Sequence, residues 1–246
     1  MKTTINRRDL YNIERLMWKL VKPSELPKTV SCVSGSDGLT FSALCCNAVL
    51  SISVPSDDEV EAFSLPWSVV KEFAARKNDY LDIELNGSNI TLSWSVKGVP
   101  QTRTIQSLDV NTELPPLPDK TTAHSLPKLF DAMLNAGRCV DADNKRYSLG
   151  GICFRGEKSQ ILSTDGRQAL VQENFEFPFE NDVLCPVSKF FRSKELRECG
   201  DSVALGATED WVYFQHNRPE VGCLPIFVSL FISKTFYKGE LKCLSN

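Results

Sequence analysis

The sequence predicts an α+β fold of two domains, each built from two copies of a β-α-β-β(-β) unit. Three observations carry that prediction. Strand-to-helix junctions recur at residues 5–10, 64–69, 125–130 and 185–190, and taking Asn6, Pro66, Pro127 and Pro186 as equivalent gives steps of 60, 61 and 59 residues. A fixed period marks one supersecondary unit copied along the chain. Alternating apolar and polar residues over 81–85 and 90–96, joined through Asn86-Gly87, read as a β-hairpin. The run Leu114-Pro115-Pro116-Leu117-Pro118 can continue neither a helix nor a central strand. The domain boundary is placed there, giving domains at 1–118 and 119–217 and a divergent tail at 218–246.

The elements follow in order. Residues 9–22 set Leu10, Ile13, Leu16, Met17 and Leu20 at helical spacing, and alternating stretches at 39–43 and 50–54 read as strands. A second helix spans 66–77. Pro66 suits its first position, because the missing N–H would be unpaired there anyway. The third unit has a helix over 127–137 and strands near 150–155, 160–163 and 168–173; the fourth has a helix over 186–198 and strands at 202–207 and 211–215. Trp18, Trp67, Trp94 and Trp211 are expected to anchor cores, with Trp67 and Trp211 the pair that could serve as exposed contacts.

Bulk properties narrow the class. An apolar content of 42% and a charged content of 24% are values of a globular chain. The longest apolar run, 223–232, is too short to span a bilayer and wrongly placed for a signal peptide. Nine cysteines without a C-x-x-C, beside only two histidines, indicate reduced cytosolic thiols over a disulfide framework or zinc site. The expectation is therefore a cytoplasmic protein with no cofactor, no metal and no membrane partner.

An enzyme reading finds little to work with. Asp57-Asp58 and the Asp141/Asp143 pair lack a partnering base or metal cluster, and His124 and His216 have no nucleophile elbow nearby. Cys45-Cys46 reads as strand packing, and Gly35-Ser36-Asp37-Gly38 is a turn without a P-loop lysine.

Charge distribution says more than net charge. The net value is −3, yet the helical segments counted with their ends, 6–22, 66–77, 127–138 and 186–198, carry +8 between them, which leaves −11 for the remainder. On the first helix Arg8, Arg15, Lys19 and Lys22 fall within about 60° of one another, at 100° per residue, opposite the apolar stripe. A cationic face on repeated helices over an acidic remainder suits a surface that tracks phosphates without reading bases. The other reading of one such helix is an ordinary solvated face.

The stretch Asp141-Ala142-Asp143-Asn144-Lys145-Arg146-Tyr147-Ser148-Leu149-Gly150-Gly151-Ile152-Cys153-Phe154 resembles the loop and strand in the middle domain of bacterial sliding clamps, the β subunit of DNA polymerase III. Leu162-Ser163-Thr164-Asp165-Gly166-Arg167-Gln168-Ala169-Leu170 is similar to that family's A-T-D-G-H/R-R-L-A segment at the expected spacing. With the period of 60, the resemblance covers roughly residues 1–215.

It implies a non-enzymatic clamp fold, helices inside and antiparallel sheets outside, in rings of six similar domains around double-stranded DNA. DNA polymerase and clamp-loader peptides would be its protein partners. The DNA-facing residues would be Arg8, Arg15, Lys19, Lys22, Lys71, Arg76, Lys145, Arg146, Tyr147, Lys189, Arg192 and Arg197, with Lys28 near the same face. The partner-peptide pocket would use Leu149, Thr164, Gly166, Arg167 and Ala169.

Three departures stand out. Gln168-Ala169 replaces the usual Arg-Leu and removes a large apolar wall; the family's Gly-Arg-Phe-Pro linker is missing after Gln215; and no third domain follows. Either a truncated or frameshifted product or a two-domain clamp is expected, with three chains completing six domains in the second case. The rival function is a clamp-like scaffold that holds proteins and never encircles DNA.

Overall fold

The structure, a computed structural model, describes residues 1–20, 23–35, 38–45, 48–54, 56, 58–77, 79–108, 110, 115–140, 151–187, 202–218 and 226–233, and for Leu126, 216–218 and 226–233 the backbone alone. The chain forms two compact units, one chiefly from Met1–Cys45 and Val49–Leu114, the other chiefly from Pro115–Arg218.

The first unit runs β1 (Lys2–Asn6), α1 (Arg7–Leu20), β2 (Thr29–Gly35), β3 (Gly38–Leu44) and β4 (Ala48–Val54). It continues with β5 (Phe63–Pro66), α2 (Trp67–Phe73), β6 (Tyr80–Asn86), β7 (Asn89–Val96) and β8 (Val99–Gln106). The second unit has β9 (Thr121–Ser125), α3 (Leu126–Ala136), β10 (Gly151–Arg155), β11 (Gln160–Thr164) and β12 (Ala169–Gln172). Then come β13 (Asp182–Pro186), β14 (Ser202–Ala207) and β15 (Trp211–Arg218), and the tail contributes β16 (Ile226–Ser233).

The repeat is visible in how strands pair. The strand that opens each copy joins the sheet of its sister copy: β1 pairs with β6 and β5 with β2, while β9 pairs with β14 and β13 with β10, all antiparallel. The opening strands end at Asn6, Pro66, Ser125 and Pro186. One exchange rule, used four times, is what a copied unit with an interlocked partner produces.

The prolines occupy a different position from the one expected. Pro66 closes β5 and stands at the N-cap of α2 with φ −55° and ψ 141°, Pro186 closes β13, and Pro127 lies inside the first turn of α3. At α1 the cap is Asn6, whose side-chain oxygen accepts the Arg8 N–H at 3.0 Å. α2 is also shorter than the predicted 66–77. Ala74 turns extended at ψ 123°, and the next residue donates its N–H to the Arg7 carbonyl at 3.2 Å.

The core lies under the helices. Leu10, Ile13, Leu16 and Met17 of α1 are buried with Val69, Val70 and Phe73 of α2 against Phe41, Phe63, Ile83 and Leu92; unit two buries Leu129, Phe130, Met133, Phe154 and Phe214. Each such side chain contributes about 1.5–3 kcal/mol of burial free energy. In the run β5-β2-β3-β4, serines occupy buried positions beside this core. Ser31 meets Ser64 at 3.0 Å and Ser42 meets Ser51 at 3.0 Å across strands, each hydroxyl satisfying the other.

The tryptophans depart from expectation at one place. Trp67 is buried and Trp94 packs edge-on to Phe73 at 4.8 Å between centroids, but Trp18 stands 40% exposed on α1.

Candidate nucleic-acid interface

α1 places its cations by simple geometry. Residues three, four and seven apart share a face, so burial of Leu10, Ile13 and Met17 turns Tyr11, Arg15, Trp18 and Lys19 outward. These four, with Glu14 and with Arg76 from just beyond α2, line an open depression of about 420 Å³. The Tyr11 ring organises it. Arg76 donates through Nε to the Tyr11 hydroxyl at 3.0 Å, and both Arg15 and Arg76 hold their guanidinium carbon 5.7 Å from the ring centroid. Cation–π contact of this kind fixes two guanidiniums, one from α1 and one from the segment after α2, on one aromatic support.

Arg7 has a structural task instead. Its Nε donates to the Phe73 carbonyl at 2.8 Å, its Nη1 pairs with Asp79 at 2.6 Å, and its guanidinium lies 5.9 Å from the Phe73 ring. With the side chain only 17% exposed, this clasp fixes the start of α1 against the end of α2. Arg8 is half-buried and Lys71 is exposed on α2; neither lines the depression. The structure thus gathers Arg15, Lys19 and Arg76 and leaves Arg8 and Lys71 apart from them. Lys22, Lys145, Arg146, Tyr147, Lys189, Arg192 and Arg197 lie outside the described residues. Sequence reasoning missed Tyr11 and Trp18, although both fall on the cationic face at helical spacing.

The hairpin joining β11 to β12 carries the second predicted site. Asp165 caps it: its Oδ1 accepts the N–H groups of Arg167 and Gln168, each at 2.8 Å. Those two bonds hold the Asp165 carboxyl below its ordinary value. Thr164 donates its hydroxyl to the Gln168 carbonyl at 2.7 Å and accepts the Gly166 N–H at 3.0 Å, so that hydroxyl is engaged inside the turn. Gly166 takes φ +87°, a left-handed value that favours glycine. Gly166, Arg167 and Ala169 are exposed, while Leu149 lies outside the described residues. β12 is the terminal strand in the order β12-β11-β10-β13. Ala169 and Val171 share one face of it, and Val171, half exposed at 50%, is an apolar surface the motif did not point to.

Among the described residues no group of three or more His, Cys, Asp or Glu side chains could hold a metal ion, and no helix is long and apolar enough to cross a membrane.

Two interlocked copies per unit, with a helix after the opening strand in the three copies whose described residues cover that stretch, match the sliding-clamp fold; the helix predicted over 186–198 lies largely outside the described residues. The chain superposes on the DNA polymerase sliding clamp of Bacillus subtilis with a TM-score of 0.70 at 17% identity, covering 95% of this chain and 64% of that one. The Helicobacter pylori beta clamp bound to a DNA ligase peptide gives 0.70 at 14% identity, over 98% of this chain and 66% of the other. A Pseudomonas aeruginosa sliding clamp bound to griselimycin gives 0.69 at 15%, over 100% and 68%. The chain therefore spans about two thirds of the length of these clamps. No protein-family model matches the sequence, and no curated protein sequence does either.

Proposed function

We propose that the chain works as a DNA sliding clamp, a non-catalytic processivity factor whose helices face duplex DNA and whose surface tethers a polymerase. The observation that carries this reading is the Arg15–Tyr11–Arg76 cluster with Lys19, a cationic surface on α1 and the segment after α2 in a clamp-fold unit. Phosphate contacts of this type are sequence-independent and weaken steeply with salt. That permits sliding, while topological linkage supplies retention. The partner site would be the Thr164–Ala169 hairpin with the apolar Val171 beside it, offered to polymerase and loader peptides. The two-unit domain division at 118/119, the cytoplasmic location and a ring of copies belong to the same proposal. Closing six domains from two-domain chains takes three copies.

Retention on DNA tests it. Incubated with nicked circular duplex and passed through gel filtration at high salt, the protein stays with the circle and is lost once the circle is linearised. Light scattering then gives a species near three times 27.5 kDa. Equal loss from circular and linear DNA would sink the proposal and leave the protein-binding scaffold as the reading of the fold.

A further inference from the structure

From the half-exposed Trp18 in the wall of the cationic depression, we propose that this site takes an unpaired nucleotide of single-stranded DNA, stacking its base on the indole while Arg15, Lys19 and Arg76 hold the adjoining phosphates. The inference rests on reading this face as a DNA interface and adds which state of DNA it prefers.

Duplex DNA accounts for the cations and leaves the tryptophan unexplained. A duplex offers phosphates and sugars at its surface, with its bases stacked inside; a large indole placed among cations finds no apolar partner there. An unpaired base supplies one. Surfaces that bind single strands combine a cationic groove with an aromatic face, because every base has a π-surface and stacking tolerates any sequence. The two aromatic residues here have separate tasks. Tyr11 is committed to Arg15 and Arg76, each 5.7 Å from its ring, and its hydroxyl accepts from Arg76. Among the described residues, Trp18 makes no ring or cation contact and is 40% exposed, so its indole face is available.

Space and charge agree. The depression, about 420 Å³, falls within the roughly 300–1,000 Å³ of ordinary small-ligand sites. Its lining holds three cations against the single carboxylate of Glu14. A strand end or a gap beside a primer terminus provides such a nucleotide.

The experiment compares fluorescence anisotropy of a labelled oligothymidylate and a labelled hairpin duplex at low salt, using the intact chain and its variants. Trp18→Ala weakens oligothymidylate binding about tenfold, as expected for one stacked base, and leaves duplex binding within twofold. Trp18→Phe, which keeps an aromatic face, recovers most of the loss. An equal effect of Trp18→Ala on both probes, or none on the oligothymidylate, overturns the inference. The parent reading fails separately: if Arg15→Glu with Lys19→Glu leaves duplex binding intact, the face is not a duplex interface, whatever Trp18 does.

Discussion

Helices α1 and α3 occupy equivalent places in the two units and set their basic residues in different surroundings. α1 turns Arg15 and Lys19 outward around a common depression with Arg76. In α3, Lys128 instead donates to the Asn174 carbonyl at 2.9 Å and sits 5.1 Å from the Phe175 ring, so its charge is spent holding the 174–175 segment. Arg138, just past α3, reaches the Asn135 side chain at 3.4 Å. The copied backbone keeps the fold, and the side chains decide where each cation is held. A count of cations per helix is therefore a weak guide to a binding surface until each cation's partner is known.

The strongest way to break this comparison is to reverse charge in each unit. Arg15→Glu with Lys19→Glu is expected to lower duplex affinity about a hundredfold and to reduce the slope of log affinity against log salt by about two, one for each phosphate no longer neutralised. Lys128→Glu with Arg138→Glu should change affinity less than threefold. Titration at several salt concentrations checks both. Equal losses from the two double variants would show that displayed charge is shared evenly and that the distinction between α1 and α3 has no functional weight.

A smaller effect separates the structural cations. Arg7→Ala removes a mostly buried guanidinium from the Phe73 carbonyl and Asp79, and should destabilise the protein by about 2 kcal/mol, the usual scale for charge-assisted hydrogen bonds. Lys128→Ala, at an exposed position, should cost less than about 1 kcal/mol. Urea unfolding measures each. If Arg7→Ala proves as mild as Lys128→Ala, the clasp does not fix α1 to α2.

Much of the fold was legible in the sequence, because copying and alternation leave strong marks. The period placed the opening strands within a residue or two, and β6 and β7 lie almost where the alternation put them. The hairpin between them turns at Gly87-Ser88 with Gly87 at φ +61°, one residue later than the Asn-Gly pair implied, since Asn86 already pairs with Asn89.

What escaped has physical reasons. β2 buries Val30, Ser31 and Cys32 in succession, so no apolar–polar alternation marks it as a strand. β8 is an almost wholly exposed terminal strand with no buried face to enforce alternation. β16 follows β15 in the sheet as β4, β8 and β12 follow β3, β7 and β11, but its residues fall in the stretch read from sequence as a divergent tail. At the site, spacing located Arg15 and Lys19, but the guanidinium support of Tyr11 joins residues 65 positions apart and becomes visible only in three dimensions.

The finest test of the comparison concerns pH, because unit two packs its segment with aromatics where unit one uses a charged clasp. Phe177 stacks on Phe179 at 5.3 Å and meets Phe154 at 5.4 Å, while His124 of β9 lies 6.0 Å from Phe177 and 6.4 Å from Phe175. Burial in this cluster lowers the His124 value, with nearby Lys128 adding to the effect and a backbone hydrogen bond involving Glu176 opposing it. The unfolded chain takes up the proton near pH 6.5 and the folded chain only at lower pH. The unfolded state therefore binds more protons between those two values. His124's contribution to stability is complete above about pH 6.5 and is lost as the pH falls through the lowered folded value. His124→Phe should abolish this part of the pH dependence, while Arg7→Ala should leave it unchanged. Urea unfolding of the three proteins at about pH 8 and about pH 5 decides the matter. A His124→Phe protein that loses as much stability on acidification as the parent would show that unit two owes its acid sensitivity to its carboxylates, and that its aromatic packing is no more pH-dependent than the charged clasp of unit one.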